Sequence, residues 1–279
     1  NAANASNAFP VGAHVVLRLT DGTVLSLEIV KPFLPFTKCL VYVVRPESSS
    51  ISDNLPSEVI LKIYDPRYID ERTQSKKYGS SRVRTHVWTL EAEMEAARYR
   101  QEIAEGQRPD DFTVHLLYRD GDAHPFLWEE DFYRYLKESS ENEVAAFRRL
   151  TSLQGTVIPK FYGSGNVIPP PGTRAIEPPA VLLEYISGSM TLADYHKGLG
   201  VSERANVIPS IFRPLVDAVR RFKELGVYHG DISGKTILVS SAPSSSQANP
   251  EGGTLTRAVL INFGRAGVRE DRESEEDWE

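Results

Sequence analysis

The chain has 279 residues, with 32 Lys and Arg against 38 Asp and Glu, a formal net charge of -6 and a single cysteine. Its 41% hydrophobic and 25% charged residues are close to the averages for globular domains, which excludes a disordered chain. One cysteine, Cys39, excludes an intramolecular disulfide scaffold, and the apolar runs are far shorter than the roughly 20 residues that span a bilayer. Because an acidic chain has no global positive field, we expect neither nucleic acid nor a membrane among its partners.

The first part of the chain has the composition of β-strands. The Asp21-Gly22 pair is a hairpin signal between the first two predicted strands. Runs rich in β-branched and aromatic residues predict four strands, at 15–19, 23–30, 38–44 and 59–64. We therefore predict an antiparallel sheet. Residues 1–8, rich in Asn, Ala and Ser, are interpreted as a tag or a processed end.

Helix and strand signals alternate after residue 64. Helix-forming residues at 88–105, and apolar residues three or four apart at 129–150, predict two helices. A strand is predicted at 112–118 and another at 180–186. The mixture of a β-rich front and later helices is typical of an α+β protein with two lobes.

The last third of the chain is predicted to begin with helices. Thr191 and Asp194 have the spacing of a capping box, which predicts the start of a short helix. A longer helix follows over 216–225, with Pro214 in its first turn and Gly226 as its stop. Strand and turn segments are predicted beyond it, at 228–239 and 258–264, before a charged tail at 269–279.

Four short segments combine residue types that carry chemistry: 59–64, 141–144, 228–233 and 261–264. Each has an ordinary alternative when it is taken alone. Lys62 suits a surface strand, Glu143 with Ser140 suits a capping box, His229 suits a structural role, and Asn262 suits a turn. The order and spacing of the four segments favour a functional interpretation.

In that order the segments resemble the protein kinase fold: a strand lysine, a helix glutamate, a catalytic-loop aspartate and an Asp-Phe-Gly-like turn, over residues 23–267. The divergent kinase-like domains common in filamentous fungi are the most similar, by the segments 32–37, 161–163, 229–233 and 263–267. The His-Gly-Asp form at 229–231 also occurs in small-molecule kinases of the aminoglycoside phosphotransferase type.

The resemblance implies a role for each matching residue. Lys62 would hold the α- and β-phosphates of ATP, and Glu143 would pair with Lys62. Asp231 would accept the proton of the substrate hydroxyl, and Lys235 would contact phosphate in place of the usual lysine at position 233. The implied cofactor is ATP.

The departures from the kinase pattern are as specific as the matches. The loop at 31–37 has two prolines and no glycine, so it lacks the backbone N–H groups of a phosphate cradle. Thr236 and Asn262 stand at the two metal-ligand positions, and both are weaker ligands for magnesium than a carboxylate. Gly230 stands where the kinase pattern has an arginine that binds the phosphate group of a phosphorylated activation loop. We therefore expect magnesium binding to be weak and phosphorylation control to be absent.

The resemblance also implies a domain organisation. The expected fold is α+β and bilobal, with an antiparallel β N-lobe over 9–186 and a minimal or truncated helical C-lobe within 187–279, including an acidic tail. Residues 70–127 form an insertion between the lysine strand and the glutamate helix. We interpret this insertion as a partner surface whose removal would spare folding, with the exposed lower lobe as a second surface for a protein partner.

Three functions remain open. The first is a pseudokinase that acts as a binding or scaffolding module, including use as a fungal effector. The second is an active atypical kinase that phosphorylates a protein or small-molecule hydroxyl. The third is a substrate-mimicking decoy that a host immune receptor recognises. The expected location is the cytoplasm, or a host cytoplasm for an effector.

Overall fold

The computed structural model describes residues 8–47, 55–72, 86–241 and 256–270. The chain divides into two compact units, residues 1–140 with 162–182 and residues 141–161 with 183–279. The second unit thus includes 141–161, which the division made from the sequence places in the N-terminal lobe. The mixture of helices with antiparallel strands confirms the α+β class.

A closed barrel of antiparallel strands lies mainly in the first unit. Its strands are β1 (His14–Leu19), β2 (Val24–Pro32), β3 (Leu40–Pro46), β4 (Val59–Ile63), β5 (Phe161–Ile168) and β6 (Pro179–Glu184). They are hydrogen-bonded in the order β1-β2-β3-β4-β6-β5, and β1 closes the barrel by pairing with β5, where Val16 lies opposite Ile168. All four predicted strands are confirmed, whereas the closure was not predicted. Closure leaves no open sheet edge that another chain could extend.

The inside of the barrel is the apolar core of this unit. Alternate residues of each strand point inward, as the two-residue period of a strand requires. Leu27, Tyr42, Leu61 and Ile63 are almost completely buried there. Because Leu61 and Ile63 face the core, Lys62 between them lies on the outer face of the barrel.

The described part of the insertion is helical. It contains α1 (Leu90–Ala104) and α2 (Val114–Asp120), and it leads into α3 (Phe126–Arg149). The helices predicted at 88–105 and 129–150 are therefore confirmed, but the strand predicted at 112–118 is wrong. A short apolar run does not distinguish a strand from a helix by its period. Thr113 favours the helix, because its hydroxyl caps α2 by accepting a hydrogen bond from the Leu116 N–H at 3.1 Å.

A buried ionic network joins the insertion to the barrel. Arg174, on the loop between β5 and β6, donates to Asp65 at 2.9 Å and to both carboxylate oxygens of Glu93 at 3.0 and 3.1 Å. Asp65 follows β4, and Glu93 lies on α1. Glu93 also accepts hydrogen bonds from the Trp88 ring at 2.6 Å and from the Ala175 N–H at 2.7 Å. The exposed fractions of the Arg174, Asp65 and Glu93 side chains are 2, 1 and 4%.

A second set of buried pairs lies beside the first. Arg72 donates to Glu129 through two nitrogens, at 2.8 and 2.5 Å. Glu130, which is fully buried, accepts from Arg100 at 2.5 Å and from Arg134 at 2.6 Å. Since these residues come from the insertion and from α3, the insertion contributes buried ion pairs to this unit. The expectation that its removal would spare folding stays a prediction.

The pKa of Asp65 reflects this network. Burial acts to raise the pKa of the carboxyl, but the attraction of Arg174 and Arg67 and hydrogen bonds from Arg67 outweigh it, so the pKa lies below its ordinary value. A carboxyl with a lowered pKa contributes stability that is present above its unfolded pKa of about 3.9 and is lost as the pH falls through the folded pKa. Asp65 therefore makes the fold more sensitive to acid.

The described part of the second unit contains the end of α3, the helices α4 (Leu192–Gly198) and α5 (Val201–Glu224), and five short strands. These are β7 (Met190–Thr191), β8 (Val227–Tyr228), β9 (Ile237–Ser241), β10 (Thr256–Leu260) and β11 (Gly267–Val268). They form a three-stranded sheet in the order β10-β9-β7 and a two-stranded pair of β11 with β8. The predicted cap of α4 is confirmed, since the Thr191 hydroxyl accepts a hydrogen bond from the Asp194 N–H at 3.1 Å.

Helix α5 is longer than the sequence indicates. It begins at Val201, so Pro214 lies inside the helix and not in its first turn. A proline there removes one backbone hydrogen bond, and burial on one face of the helix offsets that loss. Ile211, Leu215 and Phe222 lie on this face with exposed fractions of 1, 4 and 1%. None of the described helices has the combination of length and apolarity that crossing a bilayer requires.

The ionic network gives a direct test of the fold. Arg174→Leu should lower the free energy of unfolding by about 3 to 5 kcal/mol, because it leaves Asp65 and Glu93 buried without their shared counterion. The matched control is Arg98→Leu on α1, whose exposed guanidinium pairs, among the described residues, with Glu95 and Glu102 at 3.8 to 3.9 Å. That control should cost less than about 1 kcal/mol. Urea denaturation measures both changes, and equal losses would contradict the structural role of the network.

Candidate functional site

Two loops of the second unit carry most of the candidate residues. One connects β8 to β9 and contains 229–236, and the other follows β10 and contains 261–266. β9 and β10 are antiparallel neighbours, with Ile237 opposite Leu260, so both loops leave the same end of the sheet. The Ile261 N–H extends the ladder by donating to the Thr236 carbonyl at 2.9 Å. The strand pairing therefore brings the two sequence-distant segments together.

His229 stabilises the backbone of the first loop. Its side chain is 2% exposed, and its ring centroid lies 4.5 Å from that of Phe263. Nδ1 accepts the Asp231 N–H at 3.2 Å, so the ring proton is on Nε2, which lies 3.2 Å from the Ile261 carbonyl oxygen and donates to it. The histidine thus has a structural role, and that role is to hold the backbone of Asp231 against the second loop.

Asp231 and Asn262 are in contact. The Asn262 side-chain amide donates to Asp231 Oδ2 at 3.3 Å. Asn262 has a φ of 71°, in the left-handed region that asparagine enters more readily than most residues. A hydrogen-bond donor therefore faces the carboxylate at the position where the kinase pattern has a metal-binding oxygen.

Thr236 has a different role from the one that its position implies. Its hydroxyl donates to the Asp231 carbonyl at 2.7 Å and accepts the Ser233 N–H at 2.9 Å. The side chain is 6% exposed, so the hydroxyl is committed to the backbone of the loop. Thr236 shapes the loop and is not oriented as a metal ligand.

Lys235 is exposed, and its backbone N–H donates to the Ser233 hydroxyl at 3.3 Å. This contact fixes the backbone at position 235 and leaves the ammonium to the solvent side of the loop. The phosphate contact assigned to Lys235 stays a prediction.

Glu143 anchors the second loop. It lies inside α3 and is fully buried, which excludes the capping-box interpretation for Ser140 and Glu143. Its Oε1 accepts the Phe263 N–H at 3.0 Å. The Phe263 ring is fully buried, with ring centroids of Phe147 and Phe222 at 5.2 and 5.8 Å. This contact fixes the backbone next to Asn262.

Lys62 belongs to the first unit, whereas the other five candidate residues belong to the second. Its side chain is only 7% exposed, which excludes an ordinary surface lysine. The ammonium lies 5.2 Å from the centroid of the Tyr64 ring, in cation–π geometry. The pairing of Lys62 with Glu143 stays a prediction.

The residues at the two expected metal positions do not fit magnesium. A magnesium ion prefers carboxylate and phosphate oxygens in octahedral geometry. Asn262 directs an N–H toward Asp231, and the Thr236 hydroxyl is bonded to the backbone. Within the described ranges, no group of three or more His, Cys, Asp or Glu side chains is placed to hold a metal ion.

Gly230 has a structural role that the sequence analysis treats only as a lost arginine. It has a φ of 74°, and a Cβ there would lie 2.2 Å from the carbonyl oxygen of Arg265. Only glycine permits this approach of the two loops. A glycine between His229 and Asp231 is typical of a turn residue with a left-handed backbone, so its conformation could have been predicted from the sequence.

No protein-family description matches the chain, and no curated protein matches it. The chain is similar to a double mutant of the PknI kinase domain from Mycobacterium tuberculosis, with 14% identity and a TM-score of 0.43, over 93% of this chain and 65% of that chain. It is similar to vaccinia related kinase 3, with 14% identity and a TM-score of 0.41, over 93% of this chain and 52% of that chain. A single mutant of PknI has 13% identity and a TM-score of 0.41, over 86% of this chain and 60% of that chain.

The chain therefore spans 52 to 65% of the length of these solved kinase structures. At this level of similarity, a functional interpretation depends on the geometry of the chain's own residues.

The close contact between Gly230 and the Arg265 backbone can be tested by a pair of substitutions. Gly230→Ala combines left-handed strain with the overlap against Arg265, whereas Gly188→Ala has a φ of 69° and open space around its Cβ. The control should cost about 1 to 2 kcal/mol from backbone strain alone. Gly230→Ala should cost clearly more and should shift the amide NMR signals of both loops. Equal losses of stability would show that the two loops are not in contact at this position.

Proposed function

We propose that this chain is a kinase-like domain that does not transfer phosphate, and that it works as a nucleotide-responsive binding or scaffolding module, in the manner of a pseudokinase. The observation that carries the proposal is the hydrogen bond from the Asn262 amide to the Asp231 carboxylate. The resemblance of the sequence to fungal kinase-like domains favours a role as a fungal effector.

The chemistry of phosphoryl transfer supports this proposal. Charge on the transferred phosphoryl group is stabilised mainly by cations, and in kinases the metal ions bridge the β- and γ-phosphate oxygens. Here a neutral amide and a hydroxyl bound to the backbone occupy the two ligand positions. Asp231 can still accept a proton, but the charge that develops on the phosphates would have no stabilising cation at these positions.

A protein partner is part of the proposal. The insertion offers one surface, and α5 offers another. On α5 the apolar side chains of Phe212, Val216 and Val219 share one stripe and have exposed fractions of 41, 44 and 36%. Binding of a partner would bury this stripe, which supports a scaffolding role.

An active atypical kinase is the second candidate, and two observations favour it. The Asp231 backbone is held in place by His229, as a catalytic base requires. Lys62 is a buried ammonium on a strand, which suits a phosphate contact. In this candidate Asn262 would act as a weak metal ligand after its amide had turned.

A radiolabelled phosphotransfer assay separates the two candidates. We expect the chain, given ATP and magnesium with protein and small-molecule acceptors, to transfer no more label than Asp231→Asn, because both lack cation stabilisation. An active kinase of known turnover serves as the positive control. Label transfer that disappears in Asp231→Asn would refute the pseudokinase proposal and establish the active kinase.

Asn262→Asp tests the role of the amide. It would place a second carboxylate at about hydrogen-bond distance from Asp231. Repulsion between the two carboxylates should raise the pKa of one of them and lower the melting temperature at neutral pH. Divalent magnesium or manganese should then restore the melting temperature, whereas the original chain should respond little. Asn142→Asp on α3 controls for added charge.

In this experiment, equal metal responses of the original chain and Asn262→Asp would contradict the proposed role of Asn262. Differential scanning fluorimetry with and without a chelator gives the measurement.

A further inference from the structure

Helix α5 has an apolar stripe on its surface. Phe212, Val216 and Val219 are spaced by four and three residues, so they lie on one side of the helix, with exposed fractions of 41, 44 and 36%. The stripe is separate from the buried face of the helix, where Leu215 and Phe222 are 4 and 1% exposed. Three exposed apolar side chains in one row mark a surface that another segment can cover.

The stripe is bordered by positive charge. The part of α5 over 209–224 carries four cations against two carboxylates, a formal net charge of +2. These side chains are Arg213, Arg220, Arg221 and Lys223, and Asp217 and Glu224. Two of the cations have a carboxylate on the same helix, Arg220 at 3.2 Å and Arg221 at 3.6 Å. All four of these paired side chains are more than half exposed, so the pairs contribute little and do not prevent the binding of a further anion.

The chain after β11 returns to the C-terminal end of this helix. The Arg269 N–H donates to the carbonyl of Gly226, two residues after α5, at 2.8 Å. The Arg149 guanidinium donates to the Arg269 carbonyl at 2.9 Å and adds a further cation there. Residues 271–279 therefore continue from a point beside the last turn of α5, where Lys223 lies.

Residues 271–279 lie outside the described ranges, but their sequence complements α5. The nine residues include six carboxylates, one arginine and one tryptophan, Trp278, and their formal net charge is -5. Nine extended residues span at most about 30 Å. Phe212 precedes Gly226 by 14 positions, which correspond to about 20 Å along a helix. The segment is therefore long enough for Trp278 to reach the apolar stripe.

We propose that residues 271–279 dock along α5, antiparallel to the helix, with Trp278 on the apolar stripe and the carboxylates beside the cations. Opposite charges attract the segment to the helix, and burial of the indole against Phe212 and Val216 removes apolar surface from water. The docking itself is independent of phosphate transfer. Its consequence rests on the proposed function, because a scaffolding partner of α5 has to displace the segment.

Binding of the segment as a separate peptide tests the inference. A fluorescently labelled, acetylated peptide with the sequence of residues 271–279 is titrated against the full chain and against a chain shortened after Glu270, with anisotropy as the readout. The shortened chain should bind the peptide at least about tenfold more tightly, because a tethered segment competes at an effective concentration on the order of 1 mM. Raising the salt concentration from about 0.05 to about 0.5 M should weaken this binding, since the attraction is between exposed charges.

Matched variants make the test specific. Val216→Asp places a carboxylate in the stripe and should weaken peptide binding to the shortened chain at least about tenfold. The control Val114→Asp changes a valine that is 57% exposed at the start of α2, and it should leave the affinity unchanged. In the peptide, Trp278→Ala should weaken binding about tenfold.

A further variant removes the dependence on the shortened chain. In the full chain, Trp278→Ala should raise the affinity for the unaltered peptide, because the tethered competitor is weaker. Melting temperatures confirm that each variant is folded.

Equal affinities of the full and shortened chains, no binding of the peptide, or binding that Val216→Asp leaves unchanged would overturn the inference. A dimer of the full chain in light scattering that Val216→Asp dissociates would also overturn it, because a second copy would then cover the stripe. None of these results bears on phosphate transfer, so the pseudokinase proposal would survive each of them. Conversely, Asp231-dependent phosphotransfer would refute that proposal and leave the docking of the segment in place.

Discussion

The hydrogen bond between the Phe263 N–H and Glu143 determines the geometry of the second unit. A fully buried carboxylate requires donors, and the loop after β10 supplies one at 3.0 Å. The Phe263 ring is packed against the rings of Phe147, Phe222 and His229, so the backbone on its N-terminal side can turn only within narrow limits. That constraint holds Asn262 in the left-handed region, and the left-handed backbone directs its amide to Asp231. The chemistry of the site therefore follows from a buried contact and not from the exposed residues alone.

The first unit depends on a different kind of constraint. Its barrel has an apolar core, but the surrounding insertion is attached through paired guanidinium and carboxylate groups. Such pairs contribute little net stability, since desolvation offsets most of their attraction. They are specific, however, because each buried charge requires its own partner. Arg174 thereby links the end of β4, the helix α1 and the loop between β5 and β6.

Local sequence patterns were enough to predict the α+β class, the four barrel strands, the helices at 88–105 and 129–150 and the candidate residues. These features depend on local composition, on two- and four-residue periods and on the spacing of motifs, all of which can be read along the chain. The α2 helix and the start of α5 were predicted wrongly, because a seven-residue apolar run and a proline near Val216 have more than one local solution.

The closure of the barrel, the attachment of the insertion and the orientation of the functional groups depend on long-range contacts in the folded chain. Closure requires β1 to meet β5, which lies far along the chain. The attachment requires Arg174 to reach residues 109 and 81 positions away. The amide of Asn262 is directed by a contact with a helix residue that is 120 positions from Phe263. No local pattern encodes such distances, since they are set by which buried groups can satisfy one another once the chain is packed.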